Sequence, residues 1–207
     1  MNKNPLVMVV DDDSGVRNAM RALLKSVGLN STLYPSAQEF LGSYDPNQPG
    51  CLLLDIRMPG MSGMELQQEL NLRGAVIPVI FMSGHADIPM AVEAMQHGAF
   101  DFLQKPFRDQ DLLDRIQRAI AKDGERRVAL GERARIKTHL ESLTDREREV
   151  LELLTKGKQN KQIAQDLGVS PRTIEIHRAR VMEKMDAHSI AELVRMMLDL
   201  GPSPVAT

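Results

Sequence analysis

The chain has 207 residues and a formal net charge of −2, with 43% hydrophobic and 26% charged residues, a composition typical of a globular protein of one or two domains. Its single cysteine, Cys51, excludes an intrachain disulfide framework and favours a reducing, cytoplasmic location. The apolar run 75–82 contains Pro78 and is far shorter than the roughly 20 residues that span a bilayer, so we expect no membrane partner.

Short apolar runs alternate with helical patterns over the first 120 residues. The predicted strands are 6–10, 32–34, 51–54, 79–82 and 100–103, and the predicted helices are 16–27, 37–41, 63–72, 90–97 and one from near Gln110. Ser14, Ser36 and Ser62 are predicted helix caps. This alternation predicts an α/β fold, a flavodoxin-like, doubly wound, five-stranded parallel sheet with helices on both faces.

Polar side chains follow the predicted strands at the points where the strands end. Asp11 and Asp12 follow the first strand, Asp55 the third, Ser83 the fourth and Lys105 the fifth. Because ligands of doubly wound sheets bind beyond the carboxyl ends of the strands, we expect these side chains to converge there.

The chemistry of this set is consistent with phosphoryl transfer. Three carboxylates can bind Mg²⁺ or Mn²⁺, and one of them can act as the nucleophile that accepts a phosphoryl group. A hydroxyl and an ammonium can then contact the phosphoryl oxygens. Taken singly, each carboxylate is more simply explained as a turn residue or helix cap, and only the set favours a site.

This constellation resembles the receiver domain of two-component response regulators over about residues 5–121, including the loop that runs from Asp55 to Gly63. The resemblance implies phosphorylation of Asp55, a metal site that includes the backbone carbonyl of Arg57, phosphoryl contacts by Ser83 and Lys105, and an aromatic switch at Phe102. His85, two residues beyond Ser83, either influences the phosphoryl lifetime or is a solvated loop residue.

The segment 123–142 is charge-dense and poor in large apolar residues, which predicts a helical linker with Gly124 and Gly131 as weak points. We expect a first domain over 1–122 and a second, all-α domain of four helices over 143–200. The second includes the segment 156–184, which contains seven basic and three acidic residues. That local excess is where a polyanion would bind.

The second domain contains a helix-turn-helix pattern. Thr144 and Glu147 form a capping box at a helix start, and a short helix at 160–167 ends at Gly168. Ser170 and Pro171 then cap and begin a helix to about Met185. At 100° per residue, its core face holds Ile174, Val181 and Met185, and its opposite face holds Arg172, Ile176, Ala179 and Glu183, flanked by Glu175 and Arg180.

This domain resembles the LuxR/FixJ-type DNA-binding domain over about residues 141–199, from Leu143-Thr-x-Arg-Glu-x-Glu-Val-Leu151 to Thr173-Ile-Glu-x-His-Arg178. The resemblance implies a dimer contact by helix 189–200 and base reading by Glu175, Ile176 and Ala179. Phosphate contacts are expected from Lys161, Thr173, Arg178 and Lys184, and Arg172 and Arg180 complete the predicted DNA face. The alternative is a helical protein-interaction module with a solvated basic face.

Together the two domains resemble a NarL/FixJ-subfamily response regulator, not a turnover enzyme. The resemblance implies a sensor histidine kinase as phosphoryl donor, pairing of receivers near 90–97 on phosphorylation, a monomer otherwise, promoter DNA as ligand and RNA polymerase as a further partner. Two alternatives stay open at this point. One is a DNA-binding regulator with a vestigial pocket, and the other is a metal-dependent phosphohydrolase, although the second acid of an Asp-x-Asp motif is missing after Asp55.

Overall fold

The computed structural model of the protein describes residues 3–84 and 88–201, with the backbone alone at Ile88. The chain divides into two compact units, one ending at Arg127 and the other beginning at Val128. Within the described ranges, no helix has the length and apolar character needed to cross a lipid bilayer.

A parallel sheet forms the centre of the first unit, as predicted. Its strands are β1 (Leu6–Val10), β2 (Asn30–Tyr34), β3 (Gly50–Asp55), β4 (Val79–Ser83) and β5 (Asp101–Gln104). The strand order is β2-β1-β3-β4-β5, with every neighbouring pair parallel. The order reverses between β1 and β3, which places the ligand crevice of a doubly wound sheet beside their carboxyl ends.

The helices follow the strands in alternation: α1 (Ser14–Ser26), α2 (Ala37–Ser43), α3 (Gly63–Leu72), α4 (Ile88–Gln96) and α5 (Asp109–Glu141). Ser36 and Ser62 are N-caps, as predicted. The prediction of Ser14 as a cap is wrong, because Asp13 is the N-cap and Ser14 is already helical. The Asp13 side chain is one residue closer to the strand and accepts hydrogen bonds from the free amides of the first turn.

The sheet is buried on both faces because side chains alternate along each strand. Val9, Leu53 and Ile80 pack with α1 and α5 in one core cluster. Val10, Leu54 and Phe81 point to the other face and pack with α2, α3 and α4. Burial on both faces explains why the strands are continuous apolar runs rather than alternating ones.

The second unit is helical, with α6 (Asp145–Thr155), α7 (Asn160–Leu167), α8 (Pro171–Lys184) and α9 (Ile190–Leu200). Two apolar clusters hold them together, one around Val150, Ile163 and Ile174 and the other around Val181 and Leu193. The predicted capping box of α6 is present, and Gly168 ends α7 in the left-handed conformation with φ 65°. The fold class predicted for this part of the chain is confirmed.

Helix α5 runs from Asp109 to Glu141 without interruption at Gly124 or Gly131. Residues 123–127 belong to the first unit rather than to a linker. The buried Asp123 carboxylate accepts hydrogen bonds from the Gly50 amide at 2.9 Å and from Arg127 Nε at 2.7 Å. Arg127 also donates to the carbonyls of Pro46 and Gln48, both at 2.8 Å. These bonds fasten α5 to the loop that precedes β3.

We expect Asp123→Ala to lower the free energy of unfolding of the first unit by roughly 2–4 kcal/mol, because it leaves a buried amide and a half-buried guanidinium without their carboxylate. Urea denaturation followed by Tyr34 and Tyr44 fluorescence, both in this unit, measures the loss. As a control, Glu125→Ala changes an exposed residue two positions after Asp123 and should alter the free energy of unfolding by less than about 0.5 kcal/mol. Equal effects of the two substitutions would contradict this role of Asp123.

Candidate functional site

The carboxyl edge of the sheet brings the predicted receiver residues together around one cavity of about 290 Å³. Four carboxylates and two cationic side chains line it, which leaves a formal charge of −2. The lining residues are Asp11, Asp12, Asp13, Val16, Asp55, Arg57, Ser83, Gly84 and Lys105. Parallel strands produce this convergence because all their carboxyl ends lie at the same edge.

The Lys105 ammonium joins the two buried carboxylates of the cavity. Its Nζ donates to Asp11 Oδ2 at 2.8 Å and to Asp55 Oδ1 at 2.7 Å. Asp11 is 1% exposed and Asp55 is 8% exposed, so water screens neither contact well. The residues are 94 and 50 positions apart from Lys105 in sequence, and the strand order alone makes them neighbours.

Burial sets the protonation chemistry of this group. It raises the pKa of the Asp11 carboxyl above its ordinary value, although hydrogen bonds from Lys105 and from the Asp13 amide oppose the shift. Burial also lowers the pKa of the Lys105 ammonium, but its hydrogen bonds to Asp11 and Asp55 outweigh that effect and the pKa is raised. A buried carboxylate of this kind is stabilised by any additional cation nearby.

The turn between β1 and α1 holds Asp11 in place. The Asp13 amide donates to Asp11 Oδ1 at 2.9 Å, and the Asp13 side chain accepts from the amides of Gly15 and Val16. Asp13 therefore supports the helix start. Arg17 Nη1 also donates to the Asp11 carbonyl at 2.7 Å. Sequence reasoning missed Arg17, since an arginine in the first turns of an exposed helix carries no distinguishing signal.

The segment after Asp55 is closely packed. The Arg57 amide donates to Asp55 Oδ2 at 2.8 Å, and the Gly63 amide donates to the Ile56 carbonyl at 2.9 Å. A Cβ on Gly63 would lie 2.2 Å from the Asp55 carbonyl oxygen. Only glycine at the start of α3 allows that helix to approach so near to Asp55.

Two further predicted residues lie at the ends of the neighbouring strands. Ser83 is 2% exposed, and its carbonyl accepts the Lys105 amide at 2.7 Å. Phe102 in β5 is half-buried against the apolar cluster beneath α2, α3 and α4. His85 lies outside the described residues.

The oxygen-rich side of the cavity fits a hard cation by its donor chemistry and its negative charge. Its side-chain oxygens come from the carboxylates of Asp11, Asp12, Asp13 and Asp55. Within residues 3–84 and 88–201, no group of three His, Cys, Asp or Glu side chains is close enough to hold a metal ion. Lys105 instead supplies the cation that joins Asp11 and Asp55.

In the second unit, α8 has one buried and one exposed face, as the helical periodicity predicts. Ile174, Val181 and Met185 are fully buried. The predicted base-reading and flanking residues are exposed: Arg172, Glu175, Ile176, Ala179 and Arg180. Ile176 is 46% exposed although it is apolar, and Arg172 Nη1 donates to Glu175 Oε2 at 3.0 Å beside it. An exposed apolar side chain of this kind can contact a thymine methyl in a major groove.

The predicted phosphate contacts differ in their surroundings. Lys161 is exposed at the start of α7, and no ion pair involving it occurs in the described part of the chain. The Thr173 hydroxyl lies 2.8 Å from the Ser170 hydroxyl, and Arg178 Nη1 donates to Asn160 Oδ1 at 3.3 Å. Lys161 and Arg178 thus lie near the start of α7, and Thr173 lies in the first turn of α8.

Lys184, the fourth residue predicted to contact phosphate, has hydrogen-bond partners within the unit. Its Nζ donates to Glu147 Oε2 at 2.6 Å and to the Ser142 carbonyl at 3.1 Å. Glu147 is 2% exposed and also accepts the Thr144 amide at 2.9 Å. The capping box was visible in the sequence, but its ion pair with a residue 37 positions away was not. The Lys184 ammonium therefore has two partners within the unit, and its phosphate contact stays a prediction.

Comparison with known proteins agrees with the geometry of both units. Residues 7–117 match the family described as the response regulator receiver domain, and residues 141–197 match the LuxR family of bacterial regulatory proteins. The transcriptional regulatory protein FixJ of Azorhizobium caulinodans is 48% identical over 198 residues, which cover 96% of this chain and 94% of that protein.

Two solved structures extend the likeness over both units. The response regulator StyR is 45% identical, with a TM-score of 0.86 over 94% of this chain and 98% of that one. Full-length FixJ from B. japonicum is 40% identical, with a TM-score of 0.58 over 97% of this chain and 98% of that one.

The chain therefore belongs to the two-component response regulators that join a receiver domain to a LuxR-type DNA-binding domain, as FixJ does. A response regulator of this composition is a transcription factor. Its receiver implies a histidine kinase as partner and its LuxR-type domain implies DNA as ligand, and receiver domains generally bind Mg²⁺.

The Glu147 pair predicts a pH dependence for the stability of the second unit. The Lys184 hydrogen bond, with those of Thr144, lowers the pKa of Glu147 from 4.5 to about 2. A carboxylate whose pKa is lowered by folding stabilises the protein above the unfolded value, and this contribution is lost as the pH falls from about 4.5 to about 2.

Amide hydrogen exchange of α6 and α8 measures this unit separately from the first. Wild type should be more protected than Glu147→Gln near neutral pH, and the difference should shrink as the pH falls below about 4.5. Comparing the two proteins at each pH removes the intrinsic pH dependence of exchange. A difference that stays constant down to about pH 2.5 would refute the role assigned to the ionised carboxylate.

Proposed function

We propose that this chain is a transcription regulator switched by phosphorylation of Asp55, and that the phosphorylated form binds promoter DNA as a homodimer. The observation that carries the proposal is the Lys105 ammonium, which joins Asp55 to Asp11 at the carboxyl edge of the sheet. A cation held beside a buried carboxylate is placed to neutralise charge on a group transferred to that carboxylate.

The phosphoryl donor is a phosphohistidine of a sensor kinase. An Asp55 carboxylate oxygen attacks phosphorus, the phosphorus–nitrogen bond breaks, and the imidazole nitrogen leaves with the electron pair. Lys105 and Ser83 then contact the phosphoryl oxygens. Ser83 is suited to this contact because it ends β4, whose neighbour β3 ends at Asp55.

Mg²⁺, or Mn²⁺ in its place, would be held by Asp11, Asp12, Asp55 and the carbonyl of Arg57. When bound, it supplies positive charge that offsets the phosphoryl oxygens. The raised pKa of the Asp11 carboxyl supports this assignment, because a cation relieves the cost of burying a carboxylate. No turnover of small substrates is required by this chemistry, and the protein works in the cytoplasm as a regulator rather than an enzyme.

Phosphorylation changes the surface on the β4–β5 side of the receiver. Phe102, half-buried in β5, turns inward as the aromatic switch. The surface of α4 carries the exposed apolar side chains Val92 and Met95, 48% and 47% exposed, which two receivers bury when they pair. The unphosphorylated protein is a monomer, and RNA polymerase is a further partner of the DNA-bound dimer.

DNA is bound by the helix-turn-helix, with α8 in the major groove. Glu175, Ile176 and Ala179 read bases, and Arg172 and Arg180 flank them. Lys161, Thr173 and Arg178 contact phosphates. Two such helices in a dimer read adjacent half-sites, which raises the affinity through effective concentration.

Asp55→Asn should abolish phosphorylation by acetyl phosphate or phosphoramidate and should remove the phosphorylation-dependent dimer, because an amide is not a nucleophile toward phosphorus under these conditions. Sedimentation with and without the phosphodonor, and with Mg²⁺ and beryllofluoride, measures dimer formation. Asp45→Asn, at an exposed carboxylate that does not line the cavity, is the matched control. Dimerisation of Asp55→Asn by a phosphodonor would refute the scheme. If the wild-type protein binds DNA equally well with and without phosphodonor or beryllofluoride, a regulator with a vestigial pocket is favoured.

Lys161→Ala should weaken binding to every duplex and should reduce the slope of log K against log salt by about 0.9, the value expected for one lost phosphate contact. Fluorescence anisotropy titrations over a range of salt concentrations measure both quantities. Lys122→Ala removes a lysine of the receiver unit and should leave the slope unchanged. An affinity loss confined to one DNA sequence would contradict a phosphate contact.

A further inference from the structure

The last turn of α8 is tied to the start of α6 by charges within the unit. Lys184 Nζ donates to Glu147 Oε2 at 2.6 Å and to the Ser142 carbonyl at 3.1 Å. The Lys184 side chain is 34% exposed, whereas that of Glu147 is 2% exposed. The ammonium is thus directed inward, to a carboxylate that solvent does not reach.

Glu147 has no alternative cation of comparable proximity among the ion pairs of the described residues. Its Oε2 accepts the Lys184 ammonium and the Thr144 amide, which makes it part of the capping box of α6. If Lys184 turned to a DNA phosphate, Glu147 would remain buried and unpaired. Leaving one member of a buried pair alone is strongly unfavourable, so the internal contact prevails.

The position of Lys184 on α8 agrees with an internal role. At 100° per residue it lies about 80° around the helix axis from Ile174 in the core face, on the flank of the helix. Ile176 and Ala179, which we assign to base reading, lie eight and five residues earlier in α8. A tie at the carboxyl end of α8 fixes the direction of the helix that carries them.

We propose that Lys184 is a positioning residue of the DNA-binding unit. Through Glu147 and Ser142 it holds α8 on α6 and so sets the orientation in which Ile176 and Ala179 meet the groove, without touching a phosphate itself. The inference rests on the proposed DNA-binding function and assigns a residue through which that function is carried out.

The test uses the full chain and two duplexes, one selected from a random-sequence pool by the wild-type protein and one of scrambled sequence and equal length. Lys184→Met and Glu147→Gln should each weaken binding to the selected duplex by a similar factor, on the order of tenfold. Neither should change the salt slope, and the double variant should bind no more weakly than either single one, since both remove the same contact.

Lys161→Ala, measured beside them, shows the slope change that a lost phosphate contact produces. A reduced slope in Lys184→Met with an unchanged slope and affinity in Glu147→Gln would overturn the inference, because Glu147 is buried and cannot meet DNA. Unchanged affinity in both variants would also overturn it. If Lys184→Met does not fold, Glu147→Gln alone tests the inference, through its affinity for the selected duplex and its salt slope. Failure of the wild-type chain to bind either duplex would instead refute the proposed DNA-binding function.

Discussion

The ammonium of Lys105 offsets part of the charge of two carboxylates that the sheet places side by side. Asp11 and Asp55 end up adjacent because β1 and β3 are parallel neighbours, and their burial makes the uncompensated pair unfavourable. Lys105, 2.8 Å from one and 2.7 Å from the other, relieves this cost. Around that contact, the Arg57 amide donates to Asp55, and Ser83 ends the strand next to the one that Asp55 ends.

The DNA-binding unit uses the same physical device for a different purpose. Glu147 is buried at the start of α6 and is balanced by Lys184 from the end of α8. In the receiver, the carboxylates of Asp11 and Asp55 that Lys105 joins line a cavity. In the helical unit the Glu147 carboxylate is closed to solvent, so the pair specifies how two helices pack. The two ion pairs thus differ in whether their carboxylates line a cavity.

Much of the fold followed from local patterns. The continuous apolar runs predicted buried parallel strands, and the caps at Ser36, Ser62 and Thr144 marked helix starts correctly, because both signals act within a few residues. The cap of α1 was misplaced by one residue, since Asp13 and Ser14 are both good N-caps and only the backbone geometry distinguishes them. The end of the receiver unit could not be predicted from the sequence, because it depends on hydrogen bonds from Gly50 to Asp123 and from Arg127 to Gln48, which join residues more than 70 positions apart.

The polar residues at the strand ends, the helical periodicity of 171–185 and the glycine turn at Gly168 are properties of the linear chain. They sufficed to predict which polar side chains share a cavity and which face of α8 is exposed. The partners of charged side chains are not such properties. The contacts of three cationic side chains join residues 6 to 94 positions apart: Arg17 with the Asp11 carbonyl, Lys105 with the Asp11 carboxylate and Lys184 with the Glu147 carboxylate. A charge has no period or register in the sequence, so its partner is decided by which elements pack together and which of their side chains lose contact with water.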